Sequence, residues 1–171
     1  GKIYCAPGNA GTAKIAQIIE IKADDVQGLS DFAVKNKIGL VIIGPEAPLV
    51  AGLANILRGQ GIKAFGPDED GAQLEGSKAF TKNLLVKNNI PTAAFGEFDN
   101  PGAAKEFIKK HGKYPVVVKA DGLAAGKGVI ICTSEDEAYA AVDGIMVKKL
   151  FKDAGERLLV EEFLEGREAS I

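Results

Sequence analysis

Apolar residues recur along this chain in two spacings, one typical of buried strands and the other of amphipathic helices. A continuous apolar run at 40–43 and the segment 62–65 predict strands of a parallel sheet. Before the first of these strands, Val26, Leu29 and Phe32 recur three residues apart and predict the buried face of a helix. This alternation indicates an α/β fold whose first part is a parallel βα, Rossmann-like domain.

In the second half of the chain, two predicted strands flank a glycine-rich segment. Residues 116–118 and 129–132 are apolar runs rich in β-branched residues, and Gly122, Gly126 and Gly128 lie between them. Such a sequence predicts an antiparallel hairpin whose loop turns sharply or approaches a ligand closely. Further elements predicted in this half are a helix over 77–88, a strand over 92–98, a helix from Pro101, a helix over 134–149 and a strand over 157–164.

The loop of this hairpin has the composition of a phosphate-binding site. Lys119 closes the first strand, Lys127 lies within the loop, and exposed backbone N–H groups between them can surround an anion. It is neither a Walker loop nor a Rossmann fingerprint, because both require a helix after the glycines. An ordinary hairpin with a solvated lysine at its tip is the alternative that these residues leave open.

The helix predicted over 77–88 begins with an unusual charge. Ser77 is suited to cap this helix, which places Lys78 in the first turn, where the helix dipole disfavours a cation. An anion near this turn would offset that cost. The sequence therefore predicts that a negatively charged group lies close to Lys78.

Composition and charge exclude several classes of function. The 171 residues, 46% hydrophobic and 26% charged, are typical of a soluble globular protein with one large or two small domains. A formal net charge of −2, with lysines and acids interspersed, gives no surface for nucleic acid or an anionic membrane. Cys5 and Cys132 lie in apolar runs without metal-like spacing, which indicates reduced, buried thiols. With no signal peptide or membrane-length apolar run, the cytoplasm is the expected location.

Four motifs follow one another along the chain. They are GPEAPL at 44–49, QLEGSKAF at 73–80, KADGLAAGKGV at 119–129 and VEEFLEG at 160–166. In this order and spacing they resemble the ATP-grasp ligases and, in detail, the phosphoribosylamine–glycine ligase family of purine biosynthesis. The resemblance covers essentially the whole chain, and it implies that the parallel βα domain is followed by the first part of an ATP-grasp domain. The implied divisions are a pre-ATP-grasp remnant at 1–66, a connecting helix at 67–92 and a truncated small subdomain with its adenine-hinge strand at 93–171.

The resemblance also implies a site for ATP. Lys78 and Lys119 correspond to residues that contact the phosphates, and the glycine loop corresponds to a lid above them. The carboxylate of Glu161 corresponds to the acceptor for the adenine amine, and Glu168 to the acid that binds the ribose hydroxyls. The implied ATP contacts are Lys78, Lys119, Gly122, Gly126, Lys127, Gly128, Glu161, Leu164, the backbone of Glu162, and Glu168.

Two turns of the first domain correspond to the site for the amine substrate in this family. A βα connection is the plainer interpretation of the first turn, and an acid at a helix N-terminus is that of Glu46. The magnesium or manganese ligands and the glycine-binding residues are expected beyond Ile171, so neither a metal ligand nor a catalytic residue is assigned. The residues implied for the amine site are Gly8, Asn9, Gly11, Gly44, Pro45 and Glu46.

The implied reaction is the ATP-dependent joining of glycine to 5-phosphoribosylamine through glycyl phosphate, with glycinamide ribonucleotide, ADP and phosphate as products. Its partners are small molecules, and the chain is expected to be an internal fragment that is inactive by itself. Three alternatives stay open: a different ATP-grasp ligase, such as a relative of the biotin-dependent carboxylases, an ATP-binding module without catalysis, and a structural or interaction domain.

Overall fold

The computed structural model describes residues 1–124, 126–167 and 169. These residues divide into two compact units, Gly1–Gly76 and Ser77–Ile171. The boundary falls inside 67–92, the segment expected to connect two domains, and the three-part division of the chain stays a prediction. Each unit is described by itself below.

The first unit contains two pairs of parallel strands and the helices between them, as the strand and helix alternation predicts. β1 pairs with β2, and β3 pairs with β4 with Leu40 opposite Lys63. Its core gathers buried side chains from the helices around β3, including Leu53, Ala54 and Leu57. The strands are β1 Tyr4–Cys5, β2 Gln17–Ile18, β3 Leu40–Ile42 and β4 Lys63–Phe65, and the helices are α1 Val26–Lys35, α2 Glu46–Val50, α3 Leu53–Gly59 and α4 Glu69–Gly76.

One feature of this unit differs from the sequence pattern. The apolar spacing after Pro48 predicts a single helix that ends near Gly59, but Gly52, whose φ of 78° is left-handed, interrupts it, so that α2 ends and α3 begins there. The acidic cluster at 68–70 predicts a crossing between domains, and in the structure its residues lie at the start of α4. Asp68 accepts a hydrogen bond from the N–H of Gly71 at 2.9 Å, and the following acids lie at the positive end of the helix dipole.

The second unit is built on one sheet of four strands in the order β5-β8-β6-β7. β6 and β7 form the predicted antiparallel hairpin, with Val116 opposite Cys132 and Lys119 opposite Val129. β8 lies between β5 and β6 and is antiparallel to both. The elements are α5 Lys78–Lys87, β5 Phe95–Phe98, α6 Pro101–His111, β6 Val116–Ala120, β7 Val129–Cys132, α7 Glu135–Val142 and β8 Leu158–Glu162, and a π-helical turn at Asp143–Val147 extends α7.

The core of this unit holds β6 and β8 in place. Side chains that alternate along the two strands, such as Val118 and Val160, are fully or almost fully buried and pack with Ile108 of α6 and Val142 of α7. Because both strands are anchored this way, the polar side chains that they carry have fixed positions. Within the described ranges, no helix combines the length and the apolar character needed to span a lipid bilayer.

Cys132, at the end of β7, allows a test of this core. It has no solvent exposure. Its burial is the larger cause, and the nearby charge of Glu137 the smaller one, of a thiol pKa raised to about 11. At pH 8 only one thiol in about 1,000 is then the reactive thiolate. We therefore expect iodoacetamide at pH 8 to alkylate the partly exposed Cys5 in the native chain and to reach Cys132 only after denaturation.

Peptide mass spectrometry measures the labelling of both cysteines in one sample, so that Cys5 serves as the internal control. Equal labelling of the two cysteines in the native chain would contradict the burial of Cys132.

Candidate functional site

Two lysines of the predicted ATP site come from different elements of the second unit. Lys78 is the first residue of α5, and its Nζ donates to the carbonyl of Gly122 at 3.1 Å. Lys119 extends from β6, and its Nζ lies 2.9 Å from Oε2 of Glu161 on the neighbouring strand β8. The fold thus brings four of the predicted ATP contacts together as two pairs, Lys78 with Gly122 and Lys119 with Glu161, although they come from distant parts of the sequence.

Asp121 supplies the negative charge that was predicted near the start of α5. Its Oδ1 accepts from the N–H of Ala79 at 2.7 Å and from the hydroxyl of Ser77 at 3.1 Å. The N–H of Lys78 also donates to the carbonyl of Asp121, at 3.2 Å. The charge in the first turn therefore has a partner within the chain, and it is not by itself evidence for a bound phosphate.

The neighbouring acids of β8 point to opposite faces of the sheet, as strand geometry predicts. Glu161 is 6% exposed, whereas Glu162 is exposed. The N–H of Glu162 donates to the carbonyl of Ala94 at 3.0 Å, and its Oε1 accepts from the N–H of Ala94 at 2.8 Å. A base that pairs with this part of the backbone must therefore use the carbonyl of Glu162 or displace Ala94.

Lys82 lies beside Glu161, and the sequence did not predict this position. The residue is 7% exposed, and its Nζ donates to Oγ1 of Thr92 at 2.8 Å and to the carbonyl of Ala93 at 2.9 Å. The same Nζ lies 3.1 Å from Oε2 of Glu161. Its position three residues after the buried Ala79 is the available signal, because a lysine on the buried face of a helix requires an acid or other acceptors nearby.

The glycines of the hairpin loop have packing reasons for their presence. A Cβ at Gly122 would lie 2.9 Å from Cα of Ala154, and one at Gly128 would lie 2.6 Å from Cβ of Ala124. Gly126 has a left-handed φ of 75°, where side chains are strained. Turn geometry and close packing therefore account for these glycines, and their contact with phosphates stays a prediction.

The other predicted ATP contacts lie at the surface or outside the described residues. Lys127 is exposed within the loop, and its N–H donates to the carbonyl of Ala124 at 2.9 Å. Leu164, beyond the end of β8, is 64% exposed. Glu168, the predicted ribose contact, lies outside the described residues.

The first predicted turn of the amine site, in the first unit, is held by its own side chain. Oδ1 of Asn9 accepts from the N–H groups of Gly11 at 2.8 Å and Thr12 at 3.0 Å. Gly8 has a left-handed φ of 75°. Asn9 therefore shapes this turn, and its role toward a substrate stays a prediction.

The second predicted turn lies beside a cavity of about 340 Å³. Gly44 and Pro45 line this cavity, and Glu46 is the first residue of α2. The lining is mostly apolar, and Lys2 is the one charged residue among the described residues that form it. Such a lining suits neither a phosphate nor the hydroxyl groups of a sugar, because both would lose their hydrogen bonds to water.

The part of the chain that the structure describes contains no cluster of side chains suited to bind a metal ion. These residues contain no group of three or more histidine, cysteine, aspartate or glutamate side chains that could hold an ion. The expectation of metal ligands beyond Ile171 stays a prediction.

Comparison with known proteins matches both units to one family. Residues 1–75 match the family described as phosphoribosylglycinamide synthetase, N domain, and residues 76–171 match its ATP-grasp (A) domain. The chain is 53% identical over 169 residues to a phosphoribosylamine–glycine ligase of Brucella melitensis and 49% identical over 170 residues to that of Clostridium acetobutylicum. Each comparison covers 99% of this chain but only 39% and 41% of the relative.

A solved structure gives the same result for the fold. The crystal structure of phosphoribosylamine–glycine ligase from Thermotoga maritima matches 97% of this chain and 39% of that chain, with a TM-score of 0.76 and 30% sequence identity. The chain therefore spans about 40% of the length of the relatives that it matches. With both of its units matched, the chain belongs to the phosphoribosylglycinamide synthetase family of ATP-grasp proteins.

Proposed function

We propose that this chain is the nucleotide-binding part of a ligase that joins glycine to 5-phosphoribosylamine in de novo purine biosynthesis. ATP phosphorylates the carboxylate of glycine, and the amine then displaces phosphate from the acyl phosphate. The products are glycinamide ribonucleotide, ADP and phosphate. The reaction belongs to the complete enzyme, since the chain spans about 40% of its relatives.

One observation carries this proposal: β6 carries Lys119 and leads into the glycine loop, and Lys78 of α5 donates to the carbonyl of Gly122 in that loop. Phosphoryl transfer needs little covalent chemistry from the protein, and it depends on positioning and on neutralising the phosphate charge. Two ammonium groups from separate, well-packed elements meet that need. When bound, the phosphates replace the chain's own acceptors of these two lysines, namely the carbonyl of Gly122 and the carboxylate of Glu161.

The hinge strand β8 recognises the base in this proposal. The buried carboxylate of Glu161 accepts a hydrogen bond from the exocyclic amine, and the carbonyl of Glu162 and the backbone of Leu164 meet the ring edge. Glu168 binds the ribose, and Gly122, Gly126, Lys127 and Gly128 cover the phosphates. The burial of Glu161 supports this role, because a carboxylate removed from water is a strong acceptor.

The amine substrate contacts the two turns of the first unit, at Gly8, Asn9, Gly11, Gly44, Pro45 and Glu46, and it stays outside the apolar cavity that Gly44 and Pro45 border. Members of the ATP-grasp family use ATP together with a divalent metal. Magnesium or manganese is the proposed ion, and it would neutralise phosphate charge during transfer. Its ligands are expected beyond Ile171, and the described residues hold no group of three or more histidine, cysteine, aspartate or glutamate side chains that could bind it.

A hybrid enzyme tests the proposal. This chain replaces the matching 39% of the Brucella melitensis ligase, to which it is 53% identical, and ADP release is followed with a coupled assay. We expect ADP release that requires both glycine and 5-phosphoribosylamine. The unaltered Brucella enzyme is the positive control, and the hybrid carrying Lys78→Ala is the matched negative control.

Two results would contradict the proposal in different ways. A folded hybrid that binds ATP but releases no ADP with both substrates would indicate an ATP-binding module without catalysis. If neither the hybrid nor this chain bound ATP, the nucleotide site itself would be wrong. Calorimetric titration with ATP distinguishes these two results.

A further inference from the structure

Lys82 is a buried cation that the proposed mechanism does not use. Its ammonium group has three N–H donors, and three acceptors surround it: Oγ1 of Thr92, the carbonyl of Ala93 and Oε2 of Glu161. The ring of Phe95 lies 5.1 Å from the same nitrogen and adds a cation–π contact. Because the chain already satisfies all three donors, Lys82 is suited to hold a neighbour in place and not to contact a ligand.

The neighbour that Lys82 holds is shared with a second lysine. Nζ of Lys82 lies 3.1 Å and Nζ of Lys119 lies 2.9 Å from the same oxygen, Oε2 of Glu161. The two lysines differ in access to solvent, since the side chain of Lys82 is 9% exposed and that of Lys119 is 26% exposed. Lys82 is thus the enclosed partner of this carboxylate, and Lys119 is the partner that a ligand can reach.

We propose that Lys82 is a positioning residue, the permanent counterion of Glu161 that allows Lys119 to leave this carboxylate and bind the phosphates of a nucleotide. The inference rests on the proposed function, and it concerns a residue to which no role in that function has been given.

The physical reason is the cost of leaving a buried carboxylate without a partner. If Lys119 were the sole counterion, its movement to a phosphate would leave Glu161 buried, charged and unpaired, which is strongly unfavourable. With Lys82 in place, one ion pair and the other hydrogen bonds of Lys82 persist after Lys119 moves. A phosphate that draws Lys119 away therefore removes only one of the two ion pairs that stabilise Glu161.

The test uses inorganic tripolyphosphate, which carries the phosphate charge without a base. We compare its affinity by calorimetry for the chain itself, Lys82→Met, Lys82→Arg, Glu161→Gln and the double variant Lys82→Met/Glu161→Gln. We expect Lys82→Met to weaken binding by about tenfold, because Lys119 is then held by Glu161. Lys82→Arg keeps the charge, so its affinity stays near that of the unaltered chain.

The double variant separates this role from simple packing. With Glu161 neutralised, nothing holds Lys119 back, and we expect the double variant to bind tripolyphosphate as tightly as Glu161→Gln does. A packing defect at Lys82 would weaken binding in both backgrounds. Thermal melting followed by circular dichroism identifies the variants that are folded.

Three results would overturn the inference. These are a folded Lys82→Met chain with unchanged affinity, a deficit that persists in the double variant, or tripolyphosphate binding that Glu161→Gln itself weakens. The last of these needs no substitution of Lys82, so it applies even if Lys82→Met does not fold. Each of these three results overturns the inference alone, provided that the unaltered chain binds ATP. If the unaltered chain bound neither ATP nor tripolyphosphate, the proposed function would be wrong as well.

Discussion

Glu161→Ala is expected to lower the free energy of unfolding of the second unit by about 3–5 kcal/mol. The substitution leaves two ammonium groups without their shared carboxylate, and the side chain of one of them, Lys82, is only 9% exposed. Lys82 keeps Thr92 and Ala93 as acceptors, but it loses the charge that balances its own. Removing one partner of a buried ion pair costs far more than the pair contributes net, because the remaining charge stays out of water.

Urea denaturation followed by circular dichroism measures this change. Glu156→Ala is the matched control, since Glu156 is exposed, and we expect its effect to lie within about 0.5 kcal/mol. If Glu161→Ala cost no more than the control, the carboxylate would not be buried between the lysines as described.

Lys119→Ala is expected to weaken ATP binding by about one to two orders of magnitude. A hydrogen bond to a charged group contributes roughly 1.5–3 kcal/mol, which corresponds to this range of affinity. The substitution leaves Glu161 paired with Lys82, so the fold should be retained and the loss should appear in binding alone. Calorimetric titration with ATP, with and without magnesium, measures it.

Lys113→Ala is the matched control for this experiment. Lys113 is exposed and lies shortly before β6, so its removal changes the net charge equally without touching the site. Equal losses in the two variants would indicate a general charge effect, and an unchanged affinity of Lys119→Ala would mean that the phosphates bind elsewhere.

The hairpin of the second unit could be predicted from the sequence because its signal is local. Runs of β-branched residues at 116–118 and 129–132 have one plausible arrangement around a glycine-rich loop, and the register places Lys119 opposite Val129. The opposite faces of Glu161 and Glu162 follow equally from the two-residue period of a strand. The capping of α5 by Ser77 could also be predicted, because serine is a preferred N-cap residue. In the structure the Ser77 hydroxyl accepts a hydrogen bond from the N–H of Phe80 at 3.0 Å.

The pairing of charges could not be predicted, because it depends on which distant elements become neighbours. Sequence indicated an anion beside Lys78, but it did not show that Asp121, from the end of β6, would supply it. Lys82 resembled an ordinary helix lysine until the fold placed β8 and Glu161 against it. The start of α4 was missed for a related reason, since the acids at 68–70 favour both a turn and a helix N-terminus.

The position of β8 in the sheet has a consequence for synthesis of the chain on the ribosome. β8 is the last strand described, yet it lies between β5 and β6, and across the described residues β5 has its strand pairing with β8 alone. A nascent chain that has exposed residues 95–132 can therefore pair β6 with β7, whereas β5 waits for β8. The same strand carries Glu161, so the proposed nucleotide site and the sheet are completed together.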